Sequence, residues 1–341
     1  MIIVLEKEIS TTEINNLRNQ FRGLGYDLSR VDTSHGSYLI AIGNKEIDPR
    51  KIGFLPGVKD IYYVDTPYQL VSKMWKVQRT MVHIAKGLTI GEDSFQIIAG
   101  PCSVESEFQI ETTASFLSQK GMALMRGGVF KPRSSPYSFQ GLGLEGLQMF
   151  RKIAQKHKLA IVSEVMKEEQ IELMAPHVDI FQVGARNAQN FSLLKELGKI
   201  NKPVILKRGL SMSLDELLQS AEYIFSNGNE SIILCERGVR SFENAYRNML
   251  DLNSVPVLKE KTHLPVIVDP SHGIGIRRHV NRMCYSAIMA GADGLLVEIH
   301  PQPEKALSDG FQSLNFYEFE ILIKNANQLL RARQQLADYY E

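Results

Sequence analysis

Cysteine is scarce in this chain: Cys102, Cys235 and Cys284 are the only three in 341 residues, and they lie far apart. That spacing excludes a disulfide framework and fits a reducing compartment. Long hydrophobic runs are missing as well, since no apolar stretch approaches the roughly 20 residues of a membrane helix. The opening MIIVLEKEIS starts apolar but has no basic segment and soon turns charged, so it does not read as a signal peptide. An excess of charge of one sign is absent too. Lys and Arg number 39 against 38 Asp and Glu, a formal balance of +1, which excludes a global field for nucleic acid or an anionic membrane. Any anion site must therefore be built locally. These absences predict a soluble cytoplasmic protein with neither nucleic acid nor membrane as partner. What is present is 44% hydrophobic residues, enough for a large core. The length fits a domain of about 250 residues with a smaller module beside it.

Residues 1–66 read as strand, helix, strand, strand, helix, strand. Ile2–Leu5 is a short apolar strand. Ser10 and Glu13 form a capping box ahead of Ile14, Leu17, Phe21 and Leu24 at helical spacing. Gly23 and Gly25 end that helix. Tyr26–Val31 and Ser37–Ile42 flank a Thr-Ser-His-Gly turn as a hairpin. Asp48-Pro49 starts a second helix, with proline at N1 where its missing N–H costs nothing, and Val58–Val64 closes the module. The βαββαβ order predicts a ferredoxin-like domain, a shape used by small-molecule regulatory modules and equally by inert or oligomerisation caps. Residues 67–94 read as a helical connector with Lys73, Lys76 and Arg79 on a solvated face.

From 95 to 341 the pattern becomes strand and helix in alternation. Gln96–Ala99, Ala123–Gly127, Ala160–Glu164, Ile180–Gly184, Val204–Arg208, Ile232–Glu236, Val266–Asp269 and Leu295–Ile299 are apolar runs. Stretches such as Gly143–Lys156, Leu214–Phe225 and Arg278–Ala290 between them are long enough for helices, and Asn315–Tyr340 closes the series. Eight such repeats predict a (β/α)8 TIM barrel. Each run delivers a chemically capable group to one rim. In chain order these are Cys102; Arg126 and Lys131; Glu164; Arg186; Lys207 and Arg208; Glu236 and Arg237; Asp269 and His272; and Glu298 and His300. Barrels of this kind place their active sites at that rim.

Two constellations stand out. Cys102, His272, Glu298 and Asp309 come from separate loops, unlike the closely paired ligands of a structural zinc site. A thiolate, an imidazole and two carboxylates suit one borderline divalent ion such as Mn, Fe, Co or Zn. Arg126, Lys131, Arg186, Lys207 and Arg237 form the second set, and Arg133, Ser134 and Ser135 offer a further anion grip. Arginine forks bind phosphate and carboxylate bidentately, with lysine as a point charge. Two anion sites beside a metal suit the joining of two phosphorylated compounds. Glu164, at a strand end beside the cations, is placed to orient water or relay a proton.

In this order, GPCSVES, RGGVFKPRSSPYSFQGLG, QVGARN, LKRG, CERG, DPSHG, VEIHPQPEKALSDG and QSL resemble 3-deoxy-D-arabino-heptulosonate 7-phosphate (DAHP) synthase, in the class with a ferredoxin-like N-terminal extension. The likeness spans the barrel; over residues 1–66 it rests on size and strand order. The family condenses phosphoenolpyruvate with erythrose 4-phosphate, the first step of the shikimate pathway. The resemblance implies that Cys102, His272, Glu298 and Asp309 bind the metal. It implies that Arg126, Lys131, Arg186, Lys207 and Arg237, with the Ala185 backbone, hold phosphoenolpyruvate. Arg133 and Ser134 would take the phosphate of erythrose 4-phosphate, and Asp269 its hydroxyls. Lys131, Glu164 and His272 are the expected catalytic groups. The N-terminal domain would mediate feedback inhibition by tyrosine or phenylalanine, in a homotetramer.

The chain departs from the family pattern in three places: Ser134 replaces a common threonine, Phe311 a common proline, and Gly273-Ile274-Gly275 differs after the metal histidine. The same chemistry on arabinose 5-phosphate, as in 3-deoxy-D-manno-octulosonate 8-phosphate synthase, is the near rival. The KPRS segment argues against it, because that family carries a longer KANRS-like stretch. A non-catalytic metabolite sensor is the rival of another class, and four metal-type ligands argue against that.

Overall fold

The computed structural model describes residues 1–43, 52–91, 94–131, 137 and 139–337. Its N-terminal part contains β1 (Ile2–Leu5), α1 (Thr11–Gly23), β2 (Asp27–Asp32), β3 (Ser37–Ile42) and β4 (Val58–Tyr62). The capping box at α1 is present, with Glu13 N–H donating to Ser10 Oγ and Ser10 N–H to the Glu13 carboxylate. The strands form one antiparallel sheet in the order β2-β3-β1-β4. Strict alternation gives the sheet two apolar faces. Ile3 and Leu39 pack with Leu17 and Phe21 of α1, whereas Ile2, Tyr38 and Ile40 join the large core. The second helix expected at Asp48-Pro49 lies outside the described residues.

Residues 67–91 are not a helical connector. They contain turns and a hairpin of β5 (Val82–Ala85) and β6 (Leu88–Ile90), joined through Gly87 at φ 76°. The alternating Val-His-Ile-Ala…Leu-Thr-Ile pattern outweighs the helical spacing of the earlier cations. Val82 and Ile90 belong to one buried cluster with Leu124, Ile180 and Ile233 of the barrel interior.

This segment is anchored to the barrel by buried hydrogen bonds. The Leu70 and Val71 N–H groups donate to the Glu222 carboxylate at 2.9 and 3.1 Å. The Leu70 carbonyl accepts from Trp75 Nε1 and His263 Nε2, each at 2.8 Å. His263 Nδ1 therefore accepts from the Thr80 hydroxyl at 2.7 Å. Burial, with Lys76 adding to it, pushes the His263 pKa from an ordinary 6.5 down to about 3. Trp75, the single tryptophan, lies edge-on to Tyr38 and Tyr62 of the sheet and to His263 of the barrel, so one side chain joins all three parts.

The barrel strands are β7 (Gln96–Gly100), β8 (Leu124–Arg126), β9 (Ala160–Val165), β10 (Ile180–Val183), β11 (Val204–Lys207), β12 (Ile232–Glu236), β13 (Val266–Val268) and β14 (Gly294–Glu298). All pair in parallel, and β14 with β7 completes the closure. The intervening helices are α2 (Glu107–Gln119), α3 (Gly143–Lys156), α4 (Glu169–Met174), α5 (Phe191–Gly198), α6 (Leu214–Phe225), α7 (Ser254–Lys261), α8 (Pro270–Ile274) and α9 (Arg277–Met289). α10 (Phe316–Ala337) packs on α9 and ends the series. Because every strand runs the same way, every C-terminal end reaches the same rim. No helix among the described residues is long and apolar enough to cross a membrane.

Candidate active site

Side-chain parity makes the rim chemical. Alternate residues of a strand face the same side, and Leu124, Val162, Ile205, Cys235, Ile267 and Leu296 fill the barrel interior. Two residues further along the same face come Arg126, Glu164, Lys207, Arg237, Asp269 and Glu298. Arg208 and Glu236 have the opposite parity. Arg208 Nη1 donates to Glu236 at 2.9 Å and to Asp251 at 2.8 Å, so these two strand-end charges neutralise each other within the barrel wall.

A cavity of about 520 Å³ opens at the rim. Among the described residues its wall carries Arg126, Lys131, Arg186, Lys207, Arg237, Arg240 and Arg247 against Glu164 and Asp309. Seven cations facing two carboxylates among the described residues suit it to a small, multiply charged anion. Ala185 lines it from a 3₁₀ turn with Arg186. Gly184 is glycine because a Cβ there would stand 2.0 Å from Glu164 Oε1; the close approach keeps Glu164 in the cavity wall.

The metal-type groups converge at the edge of this cavity. Ligand atoms of Cys102, Glu298 and Asp309 all lie within 4.8 Å of one another. His272 Nε2 is 3.5 Å from Glu298 Oε1 and 3.7 Å from Asp309 Oδ2. Register sets this up, since Glu298 pairs opposite Gly100, two residues before Cys102. Asp309 is held in the left-handed region at φ 51°. A thiol, an imidazole and two carboxylates so close together fit a divalent cation, because the carboxylates alone would repel one another when ionised.

Protonation follows from the surroundings. Asp269 Oδ1 accepts from the His272 N–H at 3.0 Å and its Oδ2 from Nδ1–H at 2.7 Å. That fixes the tautomer with the Nε2 lone pair toward the cluster. Burial lowers the His272 pKa and so favours the neutral ring. Burial would raise the Glu298 carboxyl, but His272 and Arg126 hold it below its ordinary value. Asp309 is likewise held low against burial, by Arg247 and His272. Burial, reinforced by Glu298, pushes the Cys102 thiol up to about 11. Lys131 Nζ donates to the Cys102 carbonyl at 3.0 Å and lies 3.3 Å from Sγ. Burial disfavours its charge, yet carboxylates beside it, Glu164 and Glu298, help hold its pKa above the ordinary value.

Asp269 departs from the expectation. It is fully buried, and its oxygens are taken by His272 and by Lys207 at 2.6 Å. The geometry makes it an orienting group for those two, rather than a contact for sugar hydroxyls. His300 also stays off the cavity wall, its Nδ1 accepting from Gln302 N–H at 3.0 Å. Arg133, Ser134 and Ser135 lie outside the described residues.

Residues 77–334 match the model of the DAHP synthetase I family. The chain belongs to the DAHP synthetase I family. A phospho-2-dehydro-3-deoxyheptonate aldolase of Thermotoga maritima is 48% identical over 282 residues, 83% of either chain. A 2-dehydro-3-deoxyphosphooctonate aldolase of Francisella philomiragia is 31% identical over 264 residues, 71% of this chain and 94% of that one. The crystal structure of the T. maritima DAHP synthase matches with a TM-score of 0.78 at 42% identity, over 97% of each chain. A truncated form of the T. maritima enzyme matches at 0.73 with 45% identity, over 78% of this chain and 97% of that one.

In this member of the DAHP synthetase I family, strand-end reading overlooked Gln182, Arg240, Arg247 and Asn248, all on the cavity wall. Gln182 was visible as the one polar residue inside the run Ile180–Val183. The other three lie between β12 and α7, a segment far longer than the roughly 2–6 residues usual for such connections. Loop length was the available signal.

Proposed function

We propose that the chain is a metal-dependent DAHP synthase, joining phosphoenolpyruvate to erythrose 4-phosphate with release of phosphate. DAHP synthase activity follows from the family. The observation that carries the metal-dependent reading is the approach of Cys102, His272, Glu298 and Asp309 beside a cavity lined mainly by cations among the described residues. A divalent ion held by those four groups would supply Lewis-acid polarisation of the aldehyde.

The remaining roles belong to the chain itself. Arg126, Lys131, Arg186, Lys207 and Arg237 hold the carboxylate and phosphate of phosphoenolpyruvate, leaving its C3 free to bond the aldehyde carbon. Lys131, kept cationic in the wall, delivers a proton to the aldehyde oxygen as that bond forms. Water then adds at C2, Glu164 accepting its proton, and the tetrahedral intermediate releases phosphate by C–O cleavage. Asp269 keeps Nδ1 of His272 protonated and Lys207 in place throughout. Arg133 and Ser134 are assigned the phosphate of erythrose 4-phosphate.

The all-antiparallel order β2-β3-β1-β4, with α1 between β1 and β2, supports a ferredoxin-like module. We assign it feedback inhibition by tyrosine or phenylalanine. Its exposed Ile42 and Phe54 offer apolar surface for assembly as a homotetramer, and a cytoplasmic location accords with three free cysteines.

The test is consumption of phosphoenolpyruvate by the full chain offered erythrose 4-phosphate or arabinose 5-phosphate, with tyrosine or phenylalanine added in parallel. Turnover of the four-carbon sugar, depressed by one of the amino acids, is expected. Preference for the five-carbon sugar would reassign the substrate, and turnover indifferent to both amino acids would remove the regulatory role.

A further inference from the structure

Gln312 lies three residues beyond Asp309 and is fully buried. Its carboxamide is engaged at both ends. Arg247 Nη1 donates to Oε1 at 2.5 Å, and Nε2 donates to Glu298 Oε2 at 2.5 Å. This polarity is forced, because a guanidinium only donates and an ionised carboxylate only accepts. Arg247 also lies 3.4 Å from Asp309 Oδ1, and its guanidinium sits 5.7 Å above the Phe311 ring. The other oxygen of Glu298, Oε1, is bound by Arg126 at 2.9 Å and is the one near His272.

The next residue extends the pattern. Asn248 Nδ2 donates to the His272 carbonyl at 2.8 Å, and the Asn248 N–H to the Gly273 carbonyl at 3.1 Å. One short stretch, with a buried amide opposite it, therefore contacts the segments bearing His272, Glu298 and Asp309. None of the three contacting residues is itself a metal-type ligand aimed at the centre.

Building on the metal-dependent reading above, we propose that Arg247 and Gln312 are positioning residues. They form an arginine–amide bridge that fixes which Glu298 oxygen faces the metal site and keeps Asp309 in register with it. With the amide removed, Glu298 Oε2 loses its partner in a buried setting and the carboxylate is free to turn. Neither Arg247 nor Gln312 is a hydrogen-bond partner of Cys102, whose thiol partners are Ser308, Asp309 and Lys131. Loss of the bridge should therefore disturb the carboxylate ligands and spare the thiolate. Because Arg247 also lines the cavity, the bridge ties the anion-binding wall to ligand geometry.

The test uses the full chain loaded with cobalt(II), whose thiolate charge-transfer band reports Cys102 and whose ligand-field bands report coordination geometry. Gln312→Leu and Arg247→Met are expected to weaken cobalt affinity, read by chelator competition, about 10- to 100-fold. At saturating cobalt the charge-transfer band should persist while the ligand-field bands change, and Arg247→Lys should recover part of the affinity. Affinity and ligand-field bands unchanged in both variants would overturn the bridge. Loss of the charge-transfer band in the variants would overturn it too, showing general loosening of the site. A wild-type protein without that band would instead overturn the metal reading beneath it. If Gln312→Leu fails to fold by Trp75 fluorescence, Arg247→Met, altering a side chain that is 32% exposed, decides alone.

Discussion

Cys102→Ala is expected to lower turnover about a thousandfold or more while leaving the fold intact. Loss of Lewis-acid polarisation removes several kcal/mol of transition-state stabilisation, and each ~1.4 kcal/mol is a factor of ten. The fold should survive because Cys102 is a small side chain whose contacts are Ser308, Asp309 and Lys131. Its thiol is pushed up to about 11 in the metal-free protein, so it is protonated at neutral pH and must lose that proton on becoming a ligand. Wild-type protein should therefore release about one proton per metal bound through this group, and the alanine variant none. Steady-state rates with bound-metal analysis check both statements. A variant retaining more than a tenth of the rate would remove Cys102 from the ligand set.

Arg126→Met is expected to destabilise the metal-free protein by about 3–5 kcal/mol at neutral pH. Arg126 and Glu298 are 3% and 2% exposed and 2.9 Å apart, so removing the cation strands a buried carboxylate. The sign of the pH dependence is distinctive. In the wild type Glu298 titrates below its ordinary 4.5, so its pairing adds stability above that pH which fades in acid. In the variant, burial is opposed by His272 without Arg126, so the same carboxyl titrates higher than in the wild type and its charged form costs more stability. The stability gap between the two proteins should therefore widen as pH rises from below the ordinary carboxyl value of 4.5 to neutrality, and narrow again in acid. Urea unfolding at both ends of that range measures it, and the Michaelis constant for phosphoenolpyruvate should rise alongside. A gap independent of pH would mean that Glu298 is not the group left uncompensated.

Much of this was legible in the chain because parity survives folding. Ile2 and Ile3, or Tyr38 and Leu39, divide between the barrel-facing and helix-facing sides of the first sheet as their alternation requires. The strand ends announced the rim, but only half of each charged pair belongs there. Lys207 and Arg237 continue the inward face set by Ile205 and Cys235, whereas Arg208 and Glu236 turn out to each other. Counting by twos from the apolar run would have separated them. The 82–90 hairpin was hidden because the cations preceding it fall at helical spacing, while its own signal is only a few alternating residues around Lys86-Gly87. Arg247 and Gln312 were unreadable for a different reason. Neither sits at a strand end, and their meaning lies in a contact across 65 residues.

The most direct test of the metal-dependent condensation is to strip the full chain with chelator, titrate manganese(II) back and follow erythrose 4-phosphate-dependent loss of phosphoenolpyruvate. Activity near zero in the stripped protein, climbing linearly to a plateau at about one equivalent per chain, is the expected result. Full activity in rigorously stripped protein would contradict it, leaving the cation-walled cavity to act without Cys102, His272, Glu298 and Asp309 as a metal centre.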